Sequence, residues 1–262
     1  MDFSKQAINK RIKKIRRMFE LSLSLAKVNF KMRNEGSYLG IVWYLLNPLA
    51  MFSILLFLGN LINVTRIKYY PVYLLLGIIM FNLFSQATVL ACGVISKNGG
   101  FIKSMKIEYE PFVLALLLQF FFSHLFEVAL LCCLMIYFHL SLVGLLAYPF
   151  LLFFLFLFIA GVSFLLATFG TFVADLQNAW QVLVNLVWFA APVYYVVSKG
   201  KVPLINVINP MFYFIDNARD IIIYRVMPDV NNVLIMVVLS LAFLLLGLFV
   251  FEKYKHTFPE AV

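Results

Sequence analysis

Two pairs of ionisable residues stand at helical spacing in an otherwise apolar chain: His124 with Glu127, and Asp216 with Arg219. Residues three apart share a helix face. A carboxyl group beside an imidazole can relay a proton, or it can tie one helix to another by hydrogen bonds. Both readings stand open for His124 and Glu127, which lie midway along an apolar run. Glu108, Glu110 and Asp175 sit near the ends of apolar runs, too dispersed for a catalytic carboxylate pair, and read as solvated helix ends. No GxxxxGK[ST] phosphate loop occurs, so no nucleotide site is expected in this chain. Cys92, Cys132 and Cys133 lie inside apolar runs without metal-ligand spacing, and read as packing residues. Two function classes follow from the ionisable residues. One is a proton-coupled secondary transporter working through Glu127 and His124. The other is a membrane-embedded lipid-modifying transferase, which needs acids and histidines gathered at one interface, where none cluster.

The elements that position these residues are membrane helices. Of the 262 residues, 64% are hydrophobic and 13% charged, far from the mix of a soluble domain. A hydrocarbon core of roughly 30 Å needs about 20 apolar residues per helix. Six runs meet that need, at residues 39–62, 72–95, 111–138, 143–174, 180–198 and 233–251. Runs such as LLFFLFLFIAG do not alternate, which excludes a membrane barrel. The expected architecture is one all-helical domain of six spans. A signal peptide is not expected, since the first apolar run follows nearly forty mostly polar and basic residues.

Charge orients the spans. Of 21 lysines and arginines, ten lie in residues 1–38, three in 96–110 and two after Phe251, all on one side. Arg66, Lys68, Lys199, Lys201, Arg219 and Arg225 lie on the other. Positive residues stay inside, so both termini are expected in the cytosol. Trp43, Tyr44, Tyr109, Trp180 and Tyr254 form a belt on that side, opposite Tyr69, Tyr70, Tyr73, Tyr137, Tyr148, Tyr194 and Tyr195. The net charge of +9 concentrates in the leader INKRIKKIRRMF, where Ile8, Ile12, Ile15 and Phe19 recur between the bases. This describes an amphipathic helix on an anionic leaflet, not a nucleic-acid surface. A second amphipathic piece presents Leu21, Leu25 and Val28.

One stretch, VPLINVINPMFYFIDNARDIIIY at 202–224, is too charged to span and too apolar for a loop. Asp216, Arg219 and Asp220 would each cost roughly 2.5–3.5 kcal/mol at a helix centre. A broken helix that dips into the outer leaflet and returns satisfies both demands. Asn209-Pro210 makes the break, with Asn209 as cap of a helix starting at Pro210. Asp216 and Arg219 then form a compensating pair on its polar side.

The segment FKMRNEGSYLGIVWYLLNPLAMF carries Gly36 at the approach to the bilayer, then Gly40, Trp43, Asn47 and Pro48 in order. Downstream come SKNGGFIKSMKIEYEPFVLA, ADLQNAWQVLVNLVWFAAPVYY and INPMFYFIDNARDII. This ordered set, over residues 20–251, resembles the membrane subunit of type-2 ABC exporters for polysaccharides, the O-antigen and teichoic acid permeases. The chain departs from that family's pattern at Ile107-Glu108-Tyr109-Glu110-Pro111, where an aromatic-proline-arginine run is common. It departs again at Ala174, where an arginine commonly precedes the aspartate.

The resemblance implies a bacterial plasma-membrane protein, half of a conduit that pairs with a second copy of itself. It also implies two copies of a cytosolic ATPase, which bind ATP and magnesium and do the hydrolysis; this chain itself is expected to hold no cofactor or metal and to be no enzyme. The cytosolic 96–110 loop is then the coupling element, with Phe101, Ile102, Lys103, Glu108 and Tyr109 meeting the ATPase after a turn at Gly99-Gly100. The 202–224 hairpin, with Asn209, Pro210, Asp216 and Arg219, becomes a gate at the outer exit. Aromatic faces suit a sliding sugar polymer, which nominates Trp43, Tyr44, Phe52, Trp188, Phe189, Tyr194 and Tyr195 for its path. Lys27, Lys31 and Arg33 would meet the pyrophosphate of a lipid-linked glycan at the inner leaflet.

Overall fold

The computed structural model describes residues 2–34, 42–61, 69–105, 108–197 and 202–261. The side chains of Ile8, Ile12, Ile15, Arg33 and Tyr44, together with Gly36, Gly40, Arg66, Lys68, Ile107, Lys199 and Lys201, lie outside what is described. The described elements are helical: α1 (Asp2–Asn34), α2 (Trp43–Leu61), α3 (Tyr70–Ala91), α4 (Val94–Met105), α5 (Glu110–Tyr137), α6 (Tyr148–Phe172), α7 (Leu176–Ala190), α8 (Leu204–Ile208), α9 (Pro210–Arg219), α10 (Val230–Tyr254) and α11 (Phe258–Ala261). A 3-10 turn (Leu142–Ala147) leads into α6, and a π-helical turn (Asp220–Tyr224) continues α9. Pro71, Pro111, Pro149 and Pro210 each stand in the first turn of a helix, where the missing N–H is no loss.

Among the described residues, four helical segments are long and apolar enough to cross a membrane: Tyr70–Ala91, Glu110–Tyr137, Leu142–Phe172 and Val230–Ala261. This is a multi-pass membrane protein. The expected first span is present as the shorter α2, with Pro48 inside it, and the start of that run falls outside the described residues. The expected fifth span stops at Ala190 as the 15-residue α7, because Pro192 cannot continue a helix.

The bundle is built around α3, which is buried along nearly its whole length and packs on α2, α5, α6, α7 and α9. The densest pairing is α6 with α10. Gly161 and Gly247 make it possible, since a Cβ on either would strike the backbone of the facing helix. The leader forms one continuous helix of 33 residues and packs chiefly along α5. Lys14 pairs with Glu108 at the foot of α5, and Phe30 stacks on Phe126, so α1 and α5 run in the same direction. The buried strip of α1 is Ser22 and Ala26, one position beyond the expected Leu21 and Leu25, while Val28 is exposed. Small residues let the two backbones approach; larger ones would hold them apart.

The loops sort into two ends. One gathers Lys14, α4, Tyr109, Gln177 and α11, and the other gathers Tyr70, Tyr73, the 191–197 segment and α8–α9. Tyr109 falls at the first end and Tyr70, Tyr73, Tyr194 and Tyr195 at the second, as the two aromatic belts divide them.

Candidate functional site

The 202–224 segment folds as a helix, a break and a second helix. The break falls at Asn209, whose side-chain oxygen accepts the Met211 N–H at 3.0 Å and caps α9. Its amide nitrogen donates to the Val187 carbonyl of α7 at 3.2 Å. Tyr195 Oη donates to Asn206 Oδ1 at 2.7 Å, so α8 and α9 are both tied to α7 and the chain that follows it.

Arg219 completes this clasp from a direction the spacing did not suggest. Its side chain turns inward, with only 2% of the residue exposed, and donates to the Pro192 carbonyl, to Val193 O at 2.9 Å and to Tyr73 O at 3.1 Å. The guanidinium lies 3.3 Å over the Tyr73 ring. The planar fork suits the task because residues 191–197 have left the helix, and buried carbonyls there need donors. Asp216 is half-buried and accepts from Asn232 of α10 at 3.4 Å. Tyr73 and Tyr70 then donate to the carbonyls of Tyr195 and Tyr194 at 2.9 and 3.2 Å. Sequence reasoning placed these two tyrosines only in an interfacial belt. Their position in the first turn of α3 was the available signal.

Four of the seven aromatics nominated for a sugar path come together. Trp188 stacks on Tyr194 at 5.5 Å and meets Phe189 edge-on at 5.2 Å, and Tyr194 meets Tyr195 edge-on at 5.2 Å. Phe189 is 63% exposed. Trp43 is exposed and Phe52 half-buried on α2, which packs on α3 and α5.

At the opposite end the coupling candidates separate. The turn falls at Cys92-Gly93, and Gly99 and Gly100 lie inside the helix α4, so the expected turn at that pair is not made. Phe101 is exposed, edge-on to Phe112 at 6.1 Å, and Lys103 is exposed. Ile102 is buried, so it is a core residue and not an outward knob; its aliphatic side chain takes the inner face of amphipathic α4. Glu108 binds Lys14 at 2.7 Å, and the carboxylate holds the Lys14 ammonium above its ordinary pKa. Tyr109 packs edge-on against Phe258 at 5.1 Å; Phe172 and Phe251 complete the cluster around Phe258. Lys27 and Lys31 are exposed on α1.

His124 and Glu127 are both buried. His124 Nδ1 lies 2.9 Å from Glu127, its Nε2 lies 2.6 Å from Tyr148 Oη on α6, and Asn82 of α3 hydrogen-bonds Glu127. The group thus joins three helices through mutually satisfied polar atoms, as an interhelical tie does. Among the described residues no group of three His, Cys, Asp or Glu is placed to hold a metal ion.

Comparison with known proteins adds the decisive observation. The chain is 21% identical over 259 residues to an O-antigen export system permease protein RfbA of Myxococcus xanthus, covering 96% of this chain and all of that one. The chain resembles the O-antigen export permeases almost end to end. An RfbA permease of Klebsiella pneumoniae is 22% identical over 247 residues, 93% of this chain and 95% of its own. No family model matches. The permease likeness spans 96% of this chain, and it bears out the resemblance read from the four ordered segments.

Proposed function

We propose that this chain is the permease subunit of an ATP-driven ABC exporter that carries a lipid-linked cell-surface polysaccharide out of the cytosol. The single observation that carries this reading is similarity to O-antigen export permeases over nearly the full length of both chains. Two copies form the conduit, with α2 and α7 completing six crossings in each, in the inner membrane with both termini cytosolic. Two copies of a separate ATPase dock on the end that displays Phe101 and Lys103, and hold the ATP and magnesium. The α8–α9 hairpin is re-entrant and closes the outer exit. Lys27 and Lys31 take part in loading the lipid-linked chain.

The aromatic cluster of Trp188, Phe189, Tyr194 and Tyr195 supports a sugar cargo, because rings offer apolar faces to pyranoses and polar tips to hydroxyls. The buried, saturated His124–Glu127–Tyr148 group favours neither a proton-driven transporter nor a transferase. The test is deletion of the gene with complementation. Polysaccharide should accumulate in the cytoplasm and vanish from the surface, and return only when both this chain and an ATPase with an intact Walker motif are present. Transport by the purified chain in the absence of any ATPase would overturn the reading.

A further inference from the structure

Three polar side chains that neither the clasp nor the aromatic cluster engages lie on α7. Asn178, Gln181 and Asn185 are all exposed on a helix whose other exposed positions include Val182, Leu183, Leu186 and Phe189. At 3.6 residues per turn the three amides fall within about 60° of one another around the axis. They form one arc, bordered by Trp188 and Phe189. Gln181 Nε2 donates to Asn185 Oδ1 at 3.1 Å, which leaves the Gln181 carbonyl oxygen and the Asn185 amide nitrogen uncommitted among the described residues. The Asn178 carboxamide has no hydrogen-bond partner among the described residues.

Gln181 and Asn185 lie further along α7, where carboxamides cannot face hydrocarbon without cost, and Asn178 leads into them from the end that holds Gln177. We propose that Asn178, Gln181 and Asn185 form an amide rail that hydrogen-bonds the hydroxyl groups of the transported polysaccharide. The inference rests on the export function proposed above and assigns it a binding element. A carboxamide offers a donor and an acceptor, and a sugar hydroxyl both donates and accepts, so each rung matches any hydroxyl in any register. The arc extends about 10 Å along the axis and leads toward Trp188 and Phe189, whose rings cover the apolar faces of the same sugars. Neutral amides grip weakly, which lets a polymer slide where a charged site would hold it.

The test replaces the chromosomal gene with three alleles: a deletion, the triple change Asn178→Leu, Gln181→Leu, Asn185→Leu, and the triple change Asn178→Ser, Gln181→Thr, Asn185→Ser. Surface polysaccharide is read on intact cells by periodate oxidation and hydrazide labelling, normalised to the amount of chain in the membrane. Cross-linking between copies is measured alongside. The leucine allele should lower the normalised surface signal on the order of tenfold while copy-to-copy cross-linking is unchanged. The hydroxyl-bearing allele should restore most of it. Wild-type export by the leucine allele would overturn the rail. Lost cross-linking with the leucine allele would also overturn it, and would assign the arc to an interface between copies. An unchanged surface signal in the deletion strain removes the export function itself, and that arm is read independently of the other two.

Discussion

Gly77 on α3 leaves the space that the guanidinium of Arg219 fills: a Cβ at position 77 would lie 2.8 Å from Arg219 Nη2 and 3.2 Å from the Val193 backbone. A small residue on the central helix is thus the condition for burying a charge beneath the α8–α9 hairpin. Gly77→Val should displace the guanidinium from its three carbonyls. Arg219→Met leaves those carbonyls without donors, at a cost of about 1–3 kcal/mol. Both variants should melt earlier in detergent and expose residues 192–197 to proteolysis, and protection equal to wild type in both would refute the clasp.

Asn209 has two separable roles. Asn209→Asp keeps the oxygen that caps α9 and removes the donor to Val187, whereas Asn209→Ala removes both. The alanine variant should lose about 1 kcal/mol more than the aspartate variant through the missing cap. Thermal melting of the two proteins side by side checks the order, and equal melting would contradict it.

The His124–Glu127–Tyr148 group should behave as a structural tie. Tyr148→Phe removes the partner 2.6 Å from His124 and should destabilise the fold by about 1 kcal/mol. Glu127→Gln keeps a hydrogen-bonding group in place and should leave export and its pH profile unchanged. An export defect in Glu127→Gln at normal membrane abundance would point instead to proton coupling.

At the other end, Phe258 and Lys14 hold the segment after α4 by different means. Phe258 is fully buried among Tyr109, Phe172 and Phe251, so Phe258→Ala should cost about 3–5 kcal/mol. Lys14 and Glu108 are exposed, so Lys14→Ala should shift the melting temperature little. Glu108 raises the Lys14 pKa, so the ammonium's contribution is complete at neutral pH and is lost as pH rises through that raised value. Melting curves at neutral pH in low and high salt distinguish the two, since only the ion pair is screened.

The close crossing of α6 and α10 is the least tolerant feature of the bundle. Gly161→Leu or Gly247→Leu would force the backbones apart and should abolish the monodisperse protein recovered in detergent. Size-exclusion profiles of the two variants provide the check.

The sequence alone determined the membrane class, the four long spans, the division of the tyrosines between two ends, and the helix break with its Asn209 cap. Each of these follows from local properties: the length of an apolar run, the preference of tyrosine for span ends, and the chemistry of an Asn-Pro pair. Tertiary structure decided which way side chains point and what they meet. Arg219 turns inward because carbonyls freed at the end of α7, more than twenty residues earlier, need donors there. Ile102 is core because α4 is a helix whose inner face packs on α5 and α6. The amides of α7 form one exposed arc only because Val184 and Trp180 take the face turned to the bundle. Orientation about a helix axis depends on contacts between segments far apart in the chain, and no run of neighbouring residues encodes those contacts by itself.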